Sequence, residues 1–154
     1  MKHLRYITII ILCCLGMTFI MSCQGDQYYA DYKNVPQGIW DSRDTLSFII
    51  PPSAQDADVE LTISIRNTKE YKYESLALRA FVVDYLGCAR KDMTIAIMPD
   101  GKQSKIGAIC AYNSSEPVKM HLKAGRRVTL RLSHRMRLNP IEGITDVEIT
   151  LVKK

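Results

Sequence analysis

Cys23 is the residue whose surroundings most directly specify a reaction. It follows Ile20-Met21-Ser22. An aliphatic residue three before a cysteine, with a small residue immediately before it, resembles a bacterial lipobox. In that setting the thiol takes a diacylglyceryl group, and the cysteine becomes the first residue after cleavage. The preceding segment fits. Lys2 and Arg5 lead into the uncharged stretch from Ile7 to Met21, which is shorter than the ~20 residues a membrane-spanning helix needs and reads as a secretory signal peptide. An ordinary signal, or an uncleaved anchor holding Cys13, Cys14 and Cys23 by chance, would not by itself place a small residue, a cysteine and a polar sequel where the apolar run stops. Cys23 is therefore the expected lipidation site and the membrane the first expected partner. Each buried acyl methylene contributes roughly 0.8 kcal/mol, so two or three chains hold a protein far more firmly than one.

The other reactive residue types form weaker patterns. Cys88 and Cys110 are the thiols left once Cys13 and Cys14 depart and Cys23 is acylated. In an exported domain they can form a disulfide, adding about 3 kcal/mol by chain entropy, or remain two separate buried thiols. No Cys-x-x-Cys occurs, and His121 and His134 are isolated in sequence, so no metal site is expected. A Gly-x-Ser-x-Gly elbow, a His-Glu-x-x-His helix, a P-loop and a dinucleotide glycine pattern are all missing from the sequence. Neither an enzyme nor a cofactor is expected. Arg127, Arg131 and Arg135 share one face of a regular strand, either as a basic stripe for an acidic partner or anionic glycan or as a solvated face paired with carboxylates such as Glu148. Trp40, Tyr71 and Tyr73 are candidate partner-binding aromatics, able to stack on a sugar ring if exposed; their alternative is the core. Tyr28, Tyr29 and Tyr32 follow the anchor closely, as headgroup-level rings or as a partner-binding strand.

These residues must be positioned by strands. Val59, Leu61, Ile63 and Ile65 alternate with polar residues, as do the runs 128–133 and 147–151, which is the mark of strands with one face in a core. Weaker strand runs cover 46–50, 76–85, 93–98 and 106–112. Turn signals separate them at Pro51-Pro52-Ser53, Asn67-Thr68-Lys69, Leu86-Gly87, Pro99-Asp100-Gly101-Lys102, Asn113-Ser114-Ser115 and Ala124-Gly125. No helical period persists. The organisation expected is a signal peptide over 1–22, a lipidated N-terminus and tether over 23–43, and one antiparallel β-sandwich of about seven to eight strands over 44–154. The tether would reach roughly 25 Å as a flexible coil.

Composition agrees with one domain: 154 residues, 47% apolar and 24% charged, net charge +5. Removing Lys2 and Arg5 with the signal leaves 19 basic against 16 acidic groups, a net +3. That excess is too small and too dispersed for a nucleic-acid partner.

The Cys23 lipobox, the tyrosine-rich stretch ending at Trp40, the strand end Ile63-Ser64-Ile65-Arg66-Asn67-Thr68 and Tyr71-Lys72-Tyr73 together resemble the GldH-type gliding-motility lipoproteins of the Bacteroidetes. The closing segments His134-Arg135-Met136-Arg137 and Ile141-Glu142-Gly143-Ile144-Thr145-Asp146-Val147 extend the resemblance over essentially the whole mature chain. It implies a membrane-anchored, non-catalytic structural or interaction component of the gliding-motility machinery, or of a related envelope secretion machinery. Other envelope proteins would be its partners, and no catalytic residues come with the resemblance. Gln24-Gly25 with Asp26 alone is a poor match to the acidic run that exports such lipoproteins to the cell surface, so the expected location is the outer membrane facing the periplasm. The alternative is a glycan-binding envelope lipoprotein of a polysaccharide uptake system, which requires two or three coplanar exposed rings.

Overall fold

The computed structural model describes residues 27–97, 104–106 and 110–154. The signal peptide, Cys23 and the Pro99–Lys102 turn lie outside them. The described chain is all-β and antiparallel, a sandwich as expected, with twelve strands in place of seven or eight. They are β1 (Gln27–Asn34), β2 (Ile39–Trp40), β3 (Leu46–Ile50), β4 (Ala57–Thr68), β5 (Ser75–Asp84), β6 (Gly87–Ala96), β7 (Ser104–Ile106), β8 (Cys110–Ser114), β9 (Val118–Leu122), β10 (Val128–His134), β11 (Ile141–Glu142) and β12 (Ile144–Lys153). One sheet runs β1-β12-β4-β8-β7, with β9 also on β4; the facing sheet runs β3-β10-β5-β6; β2 and β11 form a short ribbon.

The period-2 pattern sets which side chains meet. Val59, Leu61, Ile63 and Ile65 of β4 and Val147, Ile149 and Leu151 of β12 are buried in the core. Phe48 and Ile50 of β3, Leu76 and Leu78 of β5 and Val128, Leu130 and Leu132 of β10 complete it from the other sheet. Burying each such side chain contributes roughly 1.5–3 kcal/mol, which makes this layer the main source of stability.

The tether reading does not hold from Gln27 onward. Residues 27–34 are an edge strand paired with β12 from Gln27↔Val152 to Asn34↔Asp146, and Val35 and Trp40 are buried in the core. The hydroxyls of Tyr28 and Tyr29 donate to the carbonyls of Pro51 and Ile49, joining this edge to β3 of the facing sheet. Tyrosine supplies both the apolar ring and the polar tip such a seam needs. Burial alternates from Tyr29, but the inner face is only half covered and carries the charged Asp31 and Lys33, so the strand has no apolar periodic signature. Only Cys23 to Asp26 now separate the expected lipid from the fold.

Register gives the sandwich two distinct ends. Gln27, Val152 and Val59 lie at one, beside the β3–β4 loop, the β9–β10 loop and the β5–β6 hairpin tip at Tyr85-Leu86. At the other lie Asn34, Asn67, Ile144 and His134.

Candidate functional site

Of the residues that carried the family resemblance, Trp40, Thr68, Tyr71, His134, Ile141 and Gly143 meet at the second end and build a structural corner. Trp40 pairs with Ile141. Its indole N–H donates to the Asp44 carbonyl at 2.8 Å, and its ring meets His134 edge-on at 5.6 Å. His134 is buried, with Nε2 3.1 Å from the Trp40 carbonyl and Nδ1 accepting the Met136 N–H. Burial pushes its pKa down, against the pull of the Trp40 carbonyl, so it is a neutral core histidine with its proton on Nε2. Gly143 donates to the Gly38 carbonyl and accepts from the Thr68 N–H, each at 2.8 Å. Beneath it, Asn113 donates to Asn67 at 2.8 Å, and Arg66 reaches the buried Asp146 at 3.5 Å.

The aromatic candidates are thereby corrected. Trp40 and Tyr71 are buried, Tyr73 is half-buried, and the Tyr71 and Tyr73 rings cross at 69°. The Tyr71 hydroxyl donates to the Ser75 carbonyl, and desolvation pushes its pKa well up. A single Trp in a small domain serves best where its large apolar area is buried, and these rings present no stacking platform.

The arginine candidates are brought together in part. Thr129, Arg131 and Ser133 point outward from β10. By register Arg131 lies opposite Phe81 of β5 and Ser47 of β3. Phe81 lies opposite Arg90, and Arg79 opposite Asp92. Asp92 binds Arg135 at 2.6 Å, Arg90 at 2.8 Å and Arg79 at 3.4 Å. These partners, Arg90 foremost, hold its carboxyl below the usual range. The outer face of β3-β10-β5-β6 thus carries Arg79, Arg90, Arg131 and Arg135 around one carboxylate, beside Phe81, Val83 and the 55% exposed Ile49. The pairing acid is Asp92, since Glu148 belongs to β12 in the other sheet. Arg127 lies apart, in the β9–β10 loop. Arg79, Arg90 and Phe81 were missed because their strands show no period that the sequence shares with β10; only cross-strand register aligns them.

Cys88 is a free, exposed thiol at the start of β6, so the bridge to Cys110 is not formed in this structure. Cys110 opens β8 in the opposite sheet, and its side chain lies outside the described residues. Cys88 should alkylate in the native protein without reductant; protection relieved only by reductant would reveal a bridge. His121 sits 2.8 Å from Asp58 and 3.8 Å from Asp56 on an exposed surface. Among the described residues no three His, Cys, Asp or Glu side chains converge on a metal position. No helix of these residues is long and apolar enough to cross a membrane.

Fold and surface therefore define an all-β sandwich whose most distinctive feature is an arginine-rich sheet face. The family model for GldH lipoproteins matches residues 27–151, and the chain belongs to the GldH lipoprotein family. It is thus a membrane-anchored protein of the cell envelope related to gliding-motility lipoproteins, a family not known for enzymes. No curated protein matches it. Among solved structures it is similar to a CocE/NonD family hydrolase from Staphylococcus aureus, at 9% identity and a TM-score of 0.42 over 84% of this chain, which spans 34% of the hydrolase. It is also similar to the Eiger TNF of S. frugiperda, at 11% identity and a TM-score of 0.40, covering 81% of this chain and 91% of that one.

Proposed function

We propose that the protein is a non-catalytic component of a gliding-motility or related envelope secretion assembly, lipidated at Cys23 and held on the outer membrane facing the periplasm. Its task in this reading is to hold an acidic envelope partner on the outer face of β3-β10-β5-β6. The observation that supports it is the surplus of four arginines over one carboxylate around the partly exposed apolar residues Phe81, Val83 and Ile49. An apolar centre ringed by cations suits a protein surface, where charge complementarity sets encounter rate and register.

The test is Arg131→Glu with Arg135→Glu. Asp92 keeps Arg79 and Arg90, so the exposed Arg131 change should shift stability by no more than about 0.5 kcal/mol and loss of the exposed Arg135–Asp92 pair by about 1 kcal/mol. Co-purification of the envelope partner after cross-linking should fall at least about tenfold, the effect of losing ~1.4 kcal/mol. Retrieval of the same partners at the same yield would reduce this face to solvated surface. Capture of a polysaccharide and no protein would replace the reading with glycan binding, although the burial of Trp40 and Tyr71 removes the rings that reading relied on.

A further inference from the structure

We propose that the end of the sandwich carrying the β5–β6 hairpin tip docks on the anionic phospholipid surface to which the protein is anchored, with Tyr85 and Leu86 entering the interface and Arg126, Arg127 and Lys153 facing the headgroups. The proposal rests on lipidation at Cys23.

The chain from Cys23 to Gln27 crosses four residue steps, which reach at most about 14 Å when fully extended. Gln27 begins β1 at the end occupied by the hairpin tip, so the anchor holds that end against the bilayer. The tip is built to project. Asp84 and Gly87 close the strand pair around a two-residue loop, and the Asp84 carboxylate accepts the N–H groups of Leu86 at 2.7 Å and Gly87 at 3.2 Å. That leaves Leu86 80% and Tyr85 49% exposed. Leu86 is the most exposed large apolar side chain among the described residues, and it stands on the end nearest the lipid.

The charges at this end have the sign a phosphate surface selects. Asp56 is paired with Lys123 at 2.6 Å and Glu60 with Lys154 at 2.8 Å, while Asp58 is hydrogen-bonded to His121 at 2.8 Å and Asp84 to the hairpin N–H groups. Arg126, Arg127 and Lys153 have no carboxylate partner among the described residues. The Arg126 guanidinium lies over the Tyr85 ring at 5.8 Å, and the Lys153 ammonium over Tyr28 at 5.7 Å. An aromatic ring and a leucine ringed by unpaired cations match the interfacial preference of each type: amphipathic rings at headgroup depth, with basic heads reaching phosphate.

The full lipoprotein would be purified and placed in vesicles of phosphatidylethanolamine and phosphatidylglycerol, with Cys88 and Cys110 replaced by serine. A fluorophore would be attached at Leu86→Cys or, at the opposite end, Leu138→Cys. Flotation with the vesicles tests the anchor separately. The expected result is a label at 86 quenched by shallow brominated acyl chains and shielded from iodide, with a label at 138 showing the reverse. With the label at Cys88 instead, Leu86→Asp should lower the docked fraction about tenfold, and Arg126→Glu with Arg127→Glu should lower it on phosphatidylglycerol vesicles. Protein that floats while position 86 stays open to iodide overturns the docking alone. Equal quenching at both positions overturns it as well, and protein that fails to float overturns the anchor and the docking together.

Discussion

Replacing Gly143 with Ala should lower stability by about 4 kcal/mol and the melting temperature by about 15 °C, read as a circular dichroism melt of the detergent-solubilised protein. Gly143 has φ +88°, and a Cβ there would lie 2.2 Å from the Tyr71 backbone nitrogen and 2.8 Å from the Glu70 carbonyl carbon and the Tyr71 Cα. These are backbone atoms, so no side chain can rotate away. The loop carrying Tyr71 would have to lift, and the Thr68–Gly143 and Gly38–Gly143 hydrogen bonds that close the corner would go with it. A left-handed backbone alone costs a side chain about 1–2 kcal/mol. Gly125→Ala isolates that smaller cost, because Gly125 has φ +68° with open space where its Cβ would be. Equal losses for the two variants would contradict the close approach at Gly143. A domain of this size has only about 5–15 kcal/mol of total stability, so the Gly143 variant should also accumulate poorly.

Cys23→Ala should abolish acylation. Metabolic labelling with a palmitate analogue should disappear, and a precursor 22 residues longer than the mature chain should accumulate. Membrane fractionation alone would be a poor readout, since the unprocessed precursor keeps the apolar run from Ile7 to Met21. Mobility and label together are decisive. No neighbouring residue can substitute, because acylation needs a thiol presented directly after the small residue at the cut. Normal labelling of the variant would remove Cys23 as the anchor. With β1 starting at Gln27, the lipid would confine the domain to within about 14 Å of the bilayer surface, and the variant would be held there only through its unprocessed apolar run.

Much of this protein was legible in residue order. The antiparallel all-β class and the strands β4, β10 and β12 follow from alternation, because a half-buried strand must place apolar side chains at every second position whatever its neighbours are; β3 and β5 were legible only as weaker strand runs. The lipobox is legible for a similar reason: it is a short linear pattern of residue types that needs no neighbours in the fold. The family followed from motifs whose spacing survives as a linear pattern. Residues 27–34 resisted that reading. This edge strand places Asp31 and Lys33 on its half-buried face, so residue type does not alternate with burial, and its hydrogen bonds come from β12, more than a hundred residues away.

What faces what was decided only by tertiary structure. Trp40 and Tyr71 carry the same chemistry buried or exposed; the Trp40–Ile141 pairing and the Gly143–Tyr71 approach made them core. Arg131 and Arg135 gained Arg79 and Arg90 on the same face, and Arg135 gained Asp92 as an acid shared with those two, because strand register aligned β6, β5 and β10. Arg127 dropped out of that group because β10 begins one residue after it. A sequence fixes the side-chain period along one strand, but neighbours across a sheet depend on which strands pair and in what register, and those are set by the energy of the whole core.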